Sequence, residues 1–500
     1  MKKVCLIPLD SRPVNYDWIK NLAGIAGFEI LTYSKDYAGY LKKGTNFEQI
    51  KNFLLENYLN MDYLILSTDA FVSGGLVQSR LANFSIDELK KNLDLLRYIK
   101  NENPNLKIYV FDTIMRTSIS AYDKNTAIYY DKVNKYSAAL GKYKLYKNEE
   151  DLNRANEFIK DVPQEIIDRY LLCREKKLAS NKLFLELQLE NVFEYIVFLQ
   201  EDSMPDGIQA IDQIELLNYA KTLGIENKMN LYNGTDEGAA ILLAKICLDE
   251  FKSYPNVYLF SNDNNLLNRV MPYEDRPFIN NINHMFKVLN LNLVDSPEKA
   301  DFIISIYIEE KYQGLHVEDS LEIKEHTPSS TYDEFIKKLN YYVNNNYNVC
   351  FIDLLFPNGG AYSIFKDINN PLKLKGYSAW NTACNSLGTA LAQISINYIN
   401  EKFNLGNNHL NLKYLLERFI DDCFYQGVIR QNLHKEIKDM DCNIYNLEHN
   451  TQYVTELLNK LLKDFTRNHF DIDFKCYFPW ERTFEINVEI DEEEVKKYEV

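Results

Sequence analysis

Short apolar runs rich in Val, Ile, Leu, Phe and Tyr recur along this chain, and each breaks off into a polar cluster built around a carboxylate. The clearest are KKVCLIPLDSRPVN (Asp10), YLILSTDAFVSGG (Asp69), IYVFDTIMR (Asp112), YIVFLQEDSMPDG (Glu201, Asp202, Asp206), NLYNGTDEGAA (Asp236, Glu237), VYLFSND (Asp263) and VCFIDLLFPNGG (Asp353). Runs that are continuously apolar, rather than alternating, belong to strands buried on both faces, as in parallel sheets. Ligands of parallel α/β proteins sit outside the carboxyl ends of the strands. These carboxylates are therefore expected at one edge of a sheet, and an enzyme is the leading expectation.

The pattern predicts strands over 4–9, 29–33, 63–68, 107–113 and 195–200, with helices over 18–26 and 47–58 between them. Ser85 followed by Glu88 has capping-box spacing and starts a further helix. Residues 121–191 read as a helical, Tyr/Lys/Glu-rich excursion, too long for a plain crossover. The series then restarts, with a strand over 229–232 followed by a helix over 238–251, strands over 257–260, 302–308 and 349–355, and a segment over 375–380 that leads into a helix over 389–398. The expected architecture is α/β: two Rossmann-like parallel-sheet halves around a cleft, with a distorted (β/α)8 barrel as the alternative. The expected divisions are 1–225 with its helical insertion, 226–400 as the second half, and 401–500 as C-terminal helices (410–428 and 453–465) plus a small β element.

Composition narrows the function classes. The net charge of −16 repels phosphate backbones, so nucleic acid and anionic membrane are not expected partners. No stretch approaches the length of a membrane-spanning helix, and the N-terminal apolar run ends too early, at Asp10 and Arg12, for a signal peptide. A cytoplasmic location is expected. The eight cysteines form no CxxC pair and read as buried reduced thiols, while the seven histidines include no HxH or HExxH. No metal site or cofactor is expected, and no feature assigns an oligomeric state.

Several motifs carry candidate chemistry. In PLDSRPVN, Arg12 can fork onto carboxylates, phosphates or sugar hydroxyls while Asp10 accepts hydrogen bonds. TDAFVSGGLVQSR sets Asp69 beside Gly74 and Gly75, which suits either an anion-binding turn or a tight strand-to-helix connection. FDTIMRTS offers Asp112 and Arg116 as a substrate clamp or an internal ion pair. QEDSMPDG is the densest acidic cluster, where mutual repulsion among Glu201, Asp202 and Asp206 would raise one pKa and create a general acid. NGTDEGAA puts Asp236 and Glu237 at a helix start, where capping is the plain alternative. GYSAWNTACNSLGTALA supplies Trp380 as a ring platform beside Asn381. FPWERTFEI, with Trp480, Glu481 and Arg482, reads as structural.

Taken together, PLDSRPVN, TDAFVSGGLVQSR, QEDSMPDG, NGTDEGA, YSAWNTACNSLGTALA and FPWERTFE resemble a bacterial family carried as a domain of unknown function, numbered 4127. The resemblance covers residues 8 to about 485. Usual versions of the third motif read closer to QDDA-x-P-x-G, so Glu201 and Ser203 depart from it and Asp202 is its safer position. The usual GWNT is here Ala379-Trp380-Asn381-Thr382. The resemblance implies a bacterial cytosolic α/β protein and carries over no chemistry.

The residues point first to a carbohydrate-active hydrolase, a glycosidase, acting on a small-molecule or oligosaccharide substrate. Asp202 and Asp236 are the leading carboxyl pair, with Asp10 and Glu237 in reserve. Arg12, Asp69, Asp112, Arg116 and Asn381 would hold hydroxyls and Trp380 would stack on the ring. The alternatives are a metal-dependent enzyme on a phosphate or carboxylate substrate, using Asp10, Asp69, Asp202 and Asp236, and a cytosolic sugar-binding protein.

Overall fold

The computed structural model describes residues 1–81, 83–120, 124–312, 327–440 and 442–498. Among the described residues the apolar runs form two open parallel sheets and no closed barrel. The first contains β1 (Lys3–Ile7), β2 (Glu29–Leu31), β3 (Tyr63–Ser67), β4 (Lys107–Ile114), β5 (Tyr195–Gln200) and β6 (Met229–Asn233), in the order β2-β1-β3-β4-β5-β6. The second contains β7 (Asn256–Ser261), β8 (Asn292–Leu293), β9 (Phe302–Tyr307), β10 (Val349–Asp353) and β11 (Gly376–Ser378), in the order β11-β10-β9-β7-β8. Counted in chain order, both sheets run 2-1-3-4-5, and the first adds a sixth strand. β12 (Phe474–Tyr477) and β13 (Asn487–Ile490) form a small antiparallel pair, the β element expected near the C-terminus.

The chain divides into two compact units. One comprises Met1–Ser11, Glu29–Leu242 and Tyr273–His284; the other comprises Arg12–Phe28, Leu243–Pro272 and Met285–Val500. β6 belongs to the first sheet through its pairing with β5, Gln200 standing opposite Asn233.

In the first unit, helix Ile86–Glu102 starts where Ser85 Oγ accepts the Glu88 amide at 3.4 Å, and it turns Leu89, Leu93, Leu96 and Ile99 inward. The helical excursion builds its own small core from Val133, Tyr136, Ala155, Ile167, Tyr170 and Cys173 against Met115 and Ile208. Gly141 is what lets helix Tyr130–Tyr146 cross the turn before Ile208. A Cβ there would lie 2.2 Å from the Gly207 carbonyl carbon. Helix Gln164–Leu189 buries Tyr170, Arg174, Lys177, Asn181, Phe184 and Gln188. Their 4-3-4-3-4 spacing is that of a core-facing stripe, yet most of the stripe is polar.

In the second unit, helix Ala383–Lys402 is buried from Ala383 to Asn400, which its small residues permit. Helix Asn408–Arg418 continues as a π-helix over Phe419–Ile429, where a plain α-helix is expected from the sequence. Long π segments are rare and concentrate at functional sites. Its Phe419 and Phe424 rings pack against Phe365, and Phe424 also against Phe470.

Candidate functional site

Asp10, Asp69, Asp112, Glu201, Asp202, Asp206, Asp236 and Glu237 lie at or just past the carboxyl ends of strands of the first sheet, but their surroundings differ. Asp69, in the first turn of helix Thr68–Ser73, and Asp112, on β4, are both fully buried. Lys177 reaches them from the polar stripe, donating to Asp112 Oδ1 at 2.8 Å and to Asp69 Oδ1. Asn181 Nδ2 donates to Asp112 Oδ2 at 2.7 Å, Thr68 donates to Asp112 as well, and the Thr113 amide donates to Asp69 at 3.3 Å. Burial raises the Asp112 pKa, with Lys177 working against that rise. For Lys177 burial opposes the charge, yet Asp112 and Asp69 outweigh it and hold its pKa above the ordinary value. The three form an internal ion cluster.

The glycine turn beside Asp69 is covered by its own chain. Gly74 and Gly75 have φ of +89° and +146°. The Gly74 amide donates to Ala70 O at 2.9 Å and the Gly75 amide to Asp69 O at 3.1 Å, while Gly74 O accepts from the Thr45 amide at 2.9 Å. A Cβ on Gly74 would sit 2.6 Å from Thr45 O, and one on Gly39 would sit 2.6 Å from Gly74 O. The glycines thus serve close backbone packing, and both amides are taken, so the turn presents no anion cradle. Asp10 is buried at the end of β1, and Ser11 next to it bonds Gly39 O through both its amide and its hydroxyl, each at 2.9 Å.

The acidic turn after β5 is not a mutually repelling cluster. Glu201 is paired with Arg80, Asp202 with Arg116, and Asp206 accepts from Tyr146 Oη at 2.8 Å. Asp206 sits at φ +61°, a conformation short polar side chains tolerate. Burial raises the Glu201 pKa and Arg80 tempers it. The Asp202 carbonyl accepts from the Thr117 amide at 3.0 Å, tying the turn to the end of β4.

At the end of β6 the arrangement changes. Asn233 Nδ2 donates to Ser203 Oγ at 3.0 Å and its amide donates to Asn281 Oδ1 at 3.1 Å. Asn281 Nδ2 donates to Asn233 Oδ1 at 3.1 Å and to Glu274 Oε2 at 3.0 Å. Glu237 is fully buried just ahead of helix Gly238–Phe251, and its Oε2 accepts the Thr235 amide at 2.9 Å. Its Oε1 has no hydrogen-bond partner, and no cation pairs with it among the described residues. Gly234, at φ +146°, makes room for that oxygen: a Cβ there would lie 1.9 Å from it. Burial pushes the Glu237 pKa up to about 8, with the neighbouring Asp236 and Glu274 adding to the rise and backbone amides opposing it. The helix start does favour a carboxylate here, as the capping alternative holds, but desolvation outweighs it. Asp236 is also buried.

Arg12, Trp380 and Asn381 belong to the second unit, with the C-terminal motif. The Arg12 guanidinium lies 5.3 Å from the centre of the Trp480 ring. Arg482 lies 4.6 Å from the same ring and forks onto Glu485 at 2.9 and 2.8 Å. Trp380 is buried, with its ring 5.7 Å from Trp18 and 6.2 Å from Phe484, so it packs as a core aromatic. Asn381 sits at φ +71° and its Oδ1 accepts the Thr382 amide at 2.9 Å.

Sequence reasoning missed a set of groups around the π-helix. Arg418 is buried 3.3 Å above the Trp18 ring and donates to Asp422 Oδ1 at 2.6 Å, while Asp422 accepts the Ala379 amide at 2.9 Å. Burial pushes Glu417 and Asp421 up to about 7. Asp353 is likewise pushed up to about 7 by burial, against amide donors Ala361 at 2.6 Å and Leu355 at 3.1 Å. Glu274 and Asn281 were also missed, since no strand end marks them. Among the described residues no group of three His, Cys, Asp or Glu side chains is placed to hold a metal ion, and no helix is long and apolar enough to cross a membrane.

A family model, DUF4127, described as a protein of unknown function, matches residues 4–489. The chain belongs to this family. No curated protein and no solved structure matches it. For this DUF4127 member the arrangement of side chains is therefore the ground for any functional reading. Among the described residues Asp353 and Glu237 are buried carboxyls held by backbone amides rather than a cation; both Asp353 oxygens accept amides, whereas Glu237 keeps one oxygen without a partner, in a setting of amides and hydroxyls.

Proposed function

We propose that this protein is a carbohydrate-active hydrolase, a glycosidase, with Glu237 as its proton donor. The observation that carries this reading is the uncompensated burial of Glu237: no cation, one oxygen without a partner, and a pKa pushed up to about 8. A carboxyl that keeps its proton near neutral pH is what glycoside cleavage needs at the leaving oxygen. Asp236 and Glu274 are near enough to act on Glu237 electrostatically, and one of them supplies the second carboxylate. That group steadies the developing positive charge on the ring or activates water. Asn233, Asn281 and Ser203 are amides and a hydroxyl that can exchange their mutual hydrogen bonds for sugar hydroxyls. Asp202 is a weaker choice for donor than the sequence suggests, because its carboxylate is already engaged by the Arg116 guanidinium. All eight cysteines are free thiols, which fits action in the cytoplasm.

The test is a panel of aryl glycosides assayed with the wild type and with Glu237→Gln. The substitution is expected to lower turnover by at least about two orders of magnitude, the usual size of general acid catalysis. Equal turnover in the two proteins removes Glu237 from the role. Turnover on phosphate esters and on no glycoside, lost with a chelator and restored by Mg²⁺, replaces the glycosidase reading with the metal-dependent one.

A further inference from the structure

The second unit carries a groove of about 1210 Å³ that the chemistry above does not use. Its walls include segments just ahead of β10 and β11, at the amino ends of those strands, so it lies away from the carboxyl end of β10 where Asp353 sits. The charge of its lining is opposite to that of the chain. Four lysines line it (Lys366, Lys373, Lys375 and Lys497) and no Asp or Glu does among the described residues, although the whole chain carries −16. Lys375 and Lys497 are balanced from outside the groove by Glu401 at 2.8 Å and Glu494 at 2.6 Å. Lys373 instead donates to Asn346 Oδ1 at 3.2 Å and Lys366 stands 5.4 Å from the centre of the Tyr362 ring, and neither has a carboxylate partner among the described residues. Seven asparagines share the lining, together with the rings of Tyr347 and Phe470.

We propose that this groove is a binding site for an anionic oligosaccharide. Side-chain amides donate and accept at once, as vicinal sugar hydroxyls require. Aromatic faces stack on the apolar side of a sugar ring, and unbalanced lysines attract its acidic groups. Pockets for single small ligands run about 300–1,000 Å³, so the volume here suits several linked rings better than a lone phosphate. An acidic peptide would use the lysines but leave the amide-rich wall without hydroxyl partners.

The experiment is calorimetric titration of the full chain with hexagalacturonate, with maltohexaose as the neutral counterpart and polyglutamate as the acidic peptide. Hexagalacturonate is expected to bind, more weakly as salt is raised. The double variant Lys366→Glu/Lys373→Glu is expected to lose at least about tenfold in affinity. Both lysines are exposed, so the variant should keep the wild-type melting temperature, which is measured alongside. Undiminished binding by the variant, equal binding of maltohexaose, or no binding of hexagalacturonate overturns the site. Polyglutamate binding as tightly as hexagalacturonate overturns the sugar assignment. Binding here is independent of Glu237, so Glu237→Gln should bind hexagalacturonate as the wild type does, and failure of one reading leaves the other standing.

Discussion

Asp112 and Glu237 sit at the same edge of the same sheet, both without solvent exposure, and they differ in the groups that surround them. Asp112 and its neighbour Asp69 share an ammonium, a hydroxyl, an amide side chain and a backbone amide. Glu237 has backbone amides and one idle oxygen. Where a cation is supplied, a carboxylate at a strand end becomes part of the scaffold. Where it is withheld, the same group is left with a proton to give. Position at the strand end is thus shared, and the counter-charge separates structure from chemistry.

The comparison breaks most sharply at Lys177. Lys177→Met leaves two buried carboxylates without their cation and is expected to destabilise the protein by about 3–5 kcal/mol, read from urea unfolding. A loss under about 1 kcal/mol would mean the cluster behaves as a surface pair. Adding Asp112→Asn to that variant is expected to recover part of the loss.

Glu237→Gln sharpens the other side through pH. The folded pKa of about 8 stands above the ordinary 4.5, so the native state holds a proton that the unfolded chain has released in between. Glu237 therefore contributes stability that is whole below about 4.5 and is lost as pH rises through about 8. The wild-type advantage over Glu237→Gln should shrink across that window, by at most about 1.4 kcal/mol per pH unit for one proton. A flat difference would return Glu237 to an ordinary helix cap. Turnover should fall on the same alkaline limb.

Asp202→Asn is expected to cost about 1 kcal/mol, as a partly buried ion pair with Arg116, and to lower turnover by less than about tenfold. A drop of two orders of magnitude would hand the donor role back to Asp202. Asp206→Asn should be the mildest change, within about 0.5 kcal/mol, because Asn tolerates the left-handed backbone at φ +61° and the bond to Tyr146 is exposed. A clear effect on turnover would show that the acidic turn acts as a unit after all.

The strands were legible because a parallel strand must be apolar on both faces, and few other segments of this chain are. The carboxylates at their ends were legible for the same reason, as breaks in those runs. Their partners were not. Lys177 lies 65 residues from Asp112 on a helix whose polar stripe looks solvated. The signal was present in the spacing of Tyr170, Arg174, Lys177, Asn181 and Phe184, a core period occupied by cations and amides. Trp380 was read as a platform because a Trp beside Asn suggests a ring site, but three-dimensional packing on Trp18 and Phe484 encloses it. The π-helix is written in no local pattern: its sequence has the period of an ordinary amphipathic helix.

The chain passes back and forth between its two units, and its opening helix has a temporal consequence. Helix Asp17–Ile25 belongs with helix Asn408–Arg418, where Asn21 bonds Glu417 at 2.8 Å across 396 residues of sequence. At synthesis rates of about 5–20 residues per second, Trp18, Ile19 and Leu22 leave the ribosome roughly 20–80 seconds before the surface that covers them exists. During that interval the apolar face of this helix waits uncovered on the nascent chain, and no single cut in the gene releases either unit with all its parts.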